Sequence, residues 1–145
     1  MDPNEIRRAW EGIARAYAEA RDPSGSDADL LADLVATLPD DPLVLDVGCG
    51  DGARTLANLP GGRVGLDVSR AGLEMAAETV PGARLLQADM RSIPLRAGTV
   101  DAVTAYHAVF HVPRERHPEV YREFARVLRP GGRLLMTVLI FSSIW

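Results

Sequence analysis

A short apolar run, Val44-Leu45-Asp46-Val47, leads straight into Gly48-Cys49-Gly50-Asp51-Gly52. Three glycines at alternate positions let the main chain turn tightly and let a ligand come up against the backbone. The run ahead of them reads as a buried strand. A strand apolar on both faces needs cover on both, which is the situation of a parallel sheet sandwiched by helices.

The rest of the chain keeps the same rhythm. Gly62–Asp67 is a second strand and Arg84–Ala88 a third; Thr99–Tyr106 is a fourth and Arg133–Ile140 a fifth. Helices are expected near 52–58, from Ser69 to about Thr79, and from Pro118 to Leu128, with Val120, Phe124, Val127 and Leu128 on one face. Pro81-Gly82 and Arg129-Pro-Gly-Gly132 read as turns. Alternation of strand and helix implies parallel neighbours, because parallel strands need a crossover between them. Ahead of this core, Ile6, Trp10, Ile13, Ala14 and Tyr17 recur at helical spacing over 4–20, and a second helix is expected over 27–38 after Ser26. Residues 1–40 therefore read as a helical segment ahead of a core at 41–145, within a single domain.

Length and composition narrow the classes. At 145 residues the chain is one domain, large enough for a core without disulfides. Its net charge of −4 argues against broad nucleic-acid binding, which needs a cationic face, and against an anionic membrane surface. All 16 basic residues are arginine, which fits coding bias in a GC-rich genome. The single cysteine, Cys49, allows no internal disulfide, and a reducing, cytoplasmic location is expected. No signal peptide is read at the N-terminus, and the apolar stretch 134–145 is too short to span a bilayer.

Two cofactor classes fit the glycine turn. Gly48, Gly50 and Ala53 satisfy the dinucleotide pattern G-x-G-x-x-G/A, with the next helix aiming its amide end at the ligand, so NAD or FAD stands as one reading. Asp67 closes the second strand 17 residues after Gly50, where a carboxylate can accept both hydroxyls of a ribose or simply cap the following helix.

Five segments taken together resemble the class I S-adenosylmethionine-dependent methyltransferases. Val44–Gly52 resembles the first motif of that family, Gly65-Leu-Asp-Val-Ser69 the acidic second, and Gln87-Ala-Asp-Met90 the third. Thr99-Val-Asp-Ala-Val103 resembles the fourth-strand motif, and Leu128-Arg-Pro-Gly-Gly-Arg-Leu-Leu135 the turn into the fifth strand. The resemblance spans 43–138 and implies a Rossmann-like, doubly wound, mostly parallel α/β sheet in the order 3-2-1-4-5. It implies S-adenosylmethionine as cofactor, S-adenosylhomocysteine as product, and a small molecule as methyl acceptor.

The same resemblance distributes roles. Asp67 takes the ribose; Val68 and Met90 form the adenine slot and Asp89 accepts from its amino group. Gly48 and Ala105 lie by the amino-acid end, and Asp46 binds the ammonium or braces the loop. Gly50 and Cys49 belong to the cofactor-contacting turn, and the Cys49 thiol reads as a free buried group. The resemblance also makes residues 1–40 a helical lid segment, in which Tyr17 shields the methionine end and Arg21 meets its carboxylate. Tyr106, His107 and His111 follow the fourth strand on the side where open α/β sheets bind ligands. They are candidates to face the acceptor, as base or otherwise; a loop histidine satisfied by backbone is the competing reading. His117 reads as capping or surface. No metal site is expected, since the histidines lack ligand spacing with acids.

The family ordinarily continues past the fifth strand with a helix and an antiparallel hairpin, and this chain is expected to lack both. Strand 133–140 would then be an apolar sheet edge, a place for pairing with a second copy. A SAM-binding module without turnover is accordingly the main alternative to an active methyltransferase, with an NAD-dependent oxidoreductase the third reading.

Overall fold

The computed structural model describes residues 26–137. The lid helix expected over 4–20, with Tyr17 and Arg21, lies outside these residues.

Helix α1 (Ser26–Ala36) precedes strand β1 (Leu43–Val47); β2 (Gly62–Asp67), α2 (Arg70–Thr79) and β3 (Arg84–Gln87) follow, then β4 (Val100–Ala105), α3 (His117–Val127) and β5 (Leu128–Met136). The five strands form one sheet in the order β3-β2-β1-β4-β5, and every pairing is parallel. This is the expected Rossmann-like arrangement. The order reverses between β1 and β4, which opens a crevice at the carboxyl ends of the strands.

Strand alternation assigns the two faces. Val44 and Ala102 are buried against Leu31 and Leu34 of α1 and Leu73 of α2. Leu45, Val47 and Val103 are buried on the other face with Val120, Phe124 and Val127 of α3, which recur at helical spacing. Full burial of a side chain such as Phe124 is worth roughly 1.5–3 kcal/mol. Among the described residues no helix is long and apolar enough to cross a membrane.

Two elements depart from the sequence reading. Only a single 3₁₀ turn, Leu56–Asn58, forms where a helix near 52–58 is expected. The segment is too short for a stripe: Leu56 is buried while Ala57 and Asn58 are exposed. The expected turn at 129–132 is instead a bulge inside β5. Leu128 already pairs with Val100, and pairing resumes at Ala102 with Arg133, so Arg129–Gly132 stand opposite Asp101 alone. Gly131 takes φ +81°, and a Cβ on Gly132 would lie 2.8 Å from the Arg129 carbonyl oxygen. The Asp101 carboxylate ties the region down, accepting from the Leu43 amide at 2.8 Å and from Arg129 at 3.3 Å. β5 forms one edge of the sheet, with Leu134 exposed on it.

Candidate functional site

The glycine bend is built from backbone bonds. The Gly48 and Cys49 amides both donate to the Leu66 carbonyl, at 2.7 and 3.1 Å, which fastens the bend to β2. Gly48, Gly50 and Gly52 adopt φ of +69°, +54° and +79°, the left-handed region open mainly to glycine. A Cβ on Gly48 would stand 2.6 Å from the Ala108 Cβ, whereas one on Gly50 would meet nothing within 4 Å. The first glycine lets the β1 bend and the segment after β4 close on each other; the second leaves main chain bare beside an open space.

That space is a cleft of about 480 Å³, within the range of small-molecule sites (roughly 300–1,000 Å³). Gly48 and Gly50 line one wall, Asp67 and Val68 the β2 end, Met90 the β3 side, and His107 and His111 the β4 side. Asp67 is held by two amides: Gly50 donates to Oδ2 and Ser69 to Oδ1, both at 2.9 Å. Each oxygen keeps a second acceptor position. The Ser69 hydroxyl in turn accepts from the Gly72 amide at 3.1 Å and caps α2.

Other expected residues sit behind the cleft rather than on its lining. The Asp46 carboxylate is buried and accepts from the Thr104 hydroxyl at 2.8 Å. Burial pushes its pKa up to about 7, the Thr104 hydrogen bond acts against that rise, and the negative charge of Asp67 adds to it. The Cys49 side chain is buried in the core under α1 and α2, where a Cβ on Gly65 would be only 2.9 Å from its sulfur. Burial first, then the charges of Asp46 and Asp67, push the thiol up to about 12. Ala105 is fully buried in the core on the α3 face, and Tyr106 is half-buried beside the cleft lining. Asp89 neighbours Met90 but spends its carboxylate on Arg91, whose side chain approaches Oδ2 at 2.8 Å; that bond holds its pKa below the usual range.

His107 takes φ +50°, a left-handed conformation that costs a non-glycine residue about 1–2 kcal/mol. Its amide donates to the Thr137 Oγ1 at 3.3 Å. His117 approaches the Val112 carbonyl at 2.9 Å and meets Tyr121 edge-on, a structural position. Met75 and Ala71 of α2 also line the cleft and were not singled out in the sequence. Nor was Thr104; the signal was a hydroxyl within a buried apolar strand.

The charge pattern discriminates between ligands. Asp46, Asp51 and Asp67 all act electrostatically on Cys49 in the bend, and no cation among the described residues joins them. The helix that would present amide dipoles to a diphosphate is reduced to the 3₁₀ turn Leu56–Asn58. A dianionic dinucleotide is thus poorly served here, and a cationic nucleoside well served.

The methyltransferase-domain family matches residues 45–136. The chain belongs to the class I methyltransferase family. The chain is 40% identical over 106 residues to the methyltransferase GfsG of Streptomyces halstedii, covering 67% of this chain and 37% of that protein. It is 28% identical over 139 residues to a tRNA (carboxymethyluridine(34)-5-O)-methyltransferase of Mus musculus, covering 95% of this chain and 20% of that protein. Among solved structures, SAM-bound CalS10, an amino pentose methyltransferase from Micromonospora echinaspora, superposes with a TM-score of 0.74 at 32% identity, covering 89% of this chain and 56% of the other. The chain therefore spans well under half of these two curated relatives.

Proposed function

We propose that this methyltransferase-family chain binds S-adenosylmethionine in the cleft and transfers its methyl group to a small-molecule acceptor. The observation that carries this reading is the Asp67 carboxylate, fixed by two amides at the end of β2 beside the bare wall at Gly50. In this reading the free acceptor positions of Asp67 take the ribose hydroxyls, and Val68 and Met90 flank the adenine. The bend at Gly48 and Gly50, with Asp46 behind it, serves the amino-acid end. The Asp89 carboxylate, held by Arg91 and still partly exposed, accepts from the adenine amino group. Tyr17 and Arg21 keep their proposed places over the methionine end.

The bound cofactor supplies a methyl group on a sulfonium, a good leaving group. The protein's part is then mainly to hold the acceptor in line and at attack distance, a contribution that can reach several kcal/mol. His107 and His111, on the β4 wall, face the acceptor, and either serves as a base where the acceptor must lose a proton. The likeness to CalS10, an amino pentose methyltransferase, and the net charge of −4 support a small acceptor. The exposed Leu134 on the β5 edge supports pairing of two copies there.

The murine relative favours a second reading, in which the acceptor is a nucleoside within tRNA. Calorimetry with S-adenosylhomocysteine tests the cofactor site: binding is expected for the wild type, and Asp67→Ala should lose most of the affinity. No binding at high micromolar ligand rejects the proposal. Transfer of labelled methyl to small-molecule pools but not to tRNA selects the first acceptor class over the second. Binding with no turnover on either leaves the module without catalysis.

A further inference from the structure

We propose that Thr104 is a positioning residue for the ammonium of the cofactor's amino-acid end: its hydroxyl turns the Asp46 carboxylate to the root of the glycine bend and holds it there as an anion. The inference rests on the S-adenosylmethionine reading above.

Asp46 and Thr104 are directly paired across β1 and β4, and the hydroxyl donates to the Asp46 Oδ1 at 2.8 Å. Thr104 is 0% and Asp46 3% exposed, so water offers little to either group. Thr104 sits in a strand whose neighbours Val103 and Ala105 are buried and apolar. Valine would fill that space, and the hydroxyl is what threonine adds. A buried polar group of this kind calls for a partner, and the partner here is a carboxylate two residues before Gly48.

Among the described residues, none supplies a counter-charge to Asp46. Side chains alternate along strands, so Asp46 and Thr104 share the face of Val44 and Ala102, under α1 and α2. On α1, Asp29 and Asp33 are exposed; on α2, Arg70, Glu74 and Glu78 are exposed. The groups that act on Asp46 are Thr104 and Asp67, and the Cys49 thiol stands in the bend in front of it. A carboxylate kept in the interior with no cation among the described residues is matched by a ligand that brings an ammonium. Burial has already brought Asp46 to about 7, and the Thr104 bond is the force opposing it. Loss of the hydroxyl therefore moves protonation to higher pH. Because the anion is the binding form, affinity is retained above that pH and lost as pH falls through it.

The full chain is titrated calorimetrically between pH 6 and 8.5 with two probes. S-adenosylhomocysteine carries the ammonium; 5′-methylthioadenosine has the same nucleoside without it. Wild-type affinity for the first should fall about tenfold from pH 8 to pH 6, and affinity for the second should stay flat. A hydrogen bond to a charged group is strong enough that Thr104→Val should weaken S-adenosylhomocysteine about tenfold at neutral pH, move the fall to higher pH and spare 5′-methylthioadenosine. Thr104→Ser should restore both affinity and profile, and Asp46→Asn should flatten the profile. An unchanged profile in Thr104→Val, or equal loss of both probes, overturns the proposal. A flat wild-type profile overturns it even where Thr104→Val does not fold. Wild type that binds neither probe at any pH removes the cofactor reading itself.

Discussion

Replacing Gly48 and Gly50 separately by alanine should damage two different properties, although the glycines are two residues apart. Both have positive φ, so alanine at either costs about 1–2 kcal/mol in backbone strain. Only at Gly48 does the added carbon meet an obstacle, the Ala108 Cβ at 2.6 Å. Ala108 is 2% exposed and follows the strained His107, so it has little room to retreat. Overpacking of a tight contact adds roughly 1–3 kcal/mol. Gly48→Ala should therefore lose roughly 2–5 kcal/mol, a fall of about 6–15 °C in melting temperature for a domain of this size. Gly50→Ala should lose only the strain, but its carbon stands in the open space where a nucleoside approaches, and S-adenosylhomocysteine affinity should fall more than tenfold. Thermal melts and calorimetry on the two variants provide the comparison. Gly48→Ala melting no lower than Gly50→Ala, or Gly50→Ala binding as tightly as wild type, would refute the reasoning.

Two further outcomes follow from groups behind the cleft. Cys49, buried and with its thiol pushed up to about 12, should resist iodoacetamide at pH 8 while the domain is folded and react at once in denaturant; fast labelling of the native protein would contradict that placement. Arg126 donates to the Leu95 and Ile93 carbonyls at 2.7 and 2.8 Å, and Glu123 accepts from the Ile93 amide at 2.8 Å, clamping the segment after Met90 onto α3. The Arg126 bond holds the Glu123 pKa below the usual range. Its stabilisation is thus complete above the ordinary carboxylate pKa of about 4.3 and is lost as pH falls through the lowered folded value. Arg126→Gln should cost about 1 kcal/mol and speed hydrogen exchange at the Ile93 amide; unchanged exchange would show that the clamp is idle.

The strands and the bend were legible because they depend on local signals: apolar runs of strand length, glycines where φ must be positive, and an acid closing β2; the order of the strands came from the family resemblance. Asp67 could be placed from sequence because strand β2 fixes it beside the bend. The segment 52–58 misled because a helix was expected from its place after the first strand; Thr55 and Leu56 turn inward and only a single 3₁₀ turn forms. Arg129–Gly132 looked like a free turn, but the Asp101 carboxylate and the pairing at Leu128 hold it in the sheet. The Thr104–Asp46 pair and the Arg126 clamp join residues 58 and about 30 positions apart. Spacing along a chain carries no trace of such partners, which exist only once β1 lies beside β4 and α3 packs across the sheet. Cys49 was read correctly as a buried thiol, while the ion pair of Asp89 with an arginine two residues away was not foreseen.

The bulge at Arg129–Gly132 gives the sheet slack. Pairing restarts at Arg133 beyond the bulge, so an inserted or deleted residue at the exposed Pro130–Gly131 is expected to be absorbed before the apolar positions of β5 are reached. The slack lies at the amino end of β5, away from the crevice at the strands' carboxyl ends. A lineage could change the length of this segment, or an experimenter could hang a reporter on it at Gly131, without resetting the floor on which the ligand rests.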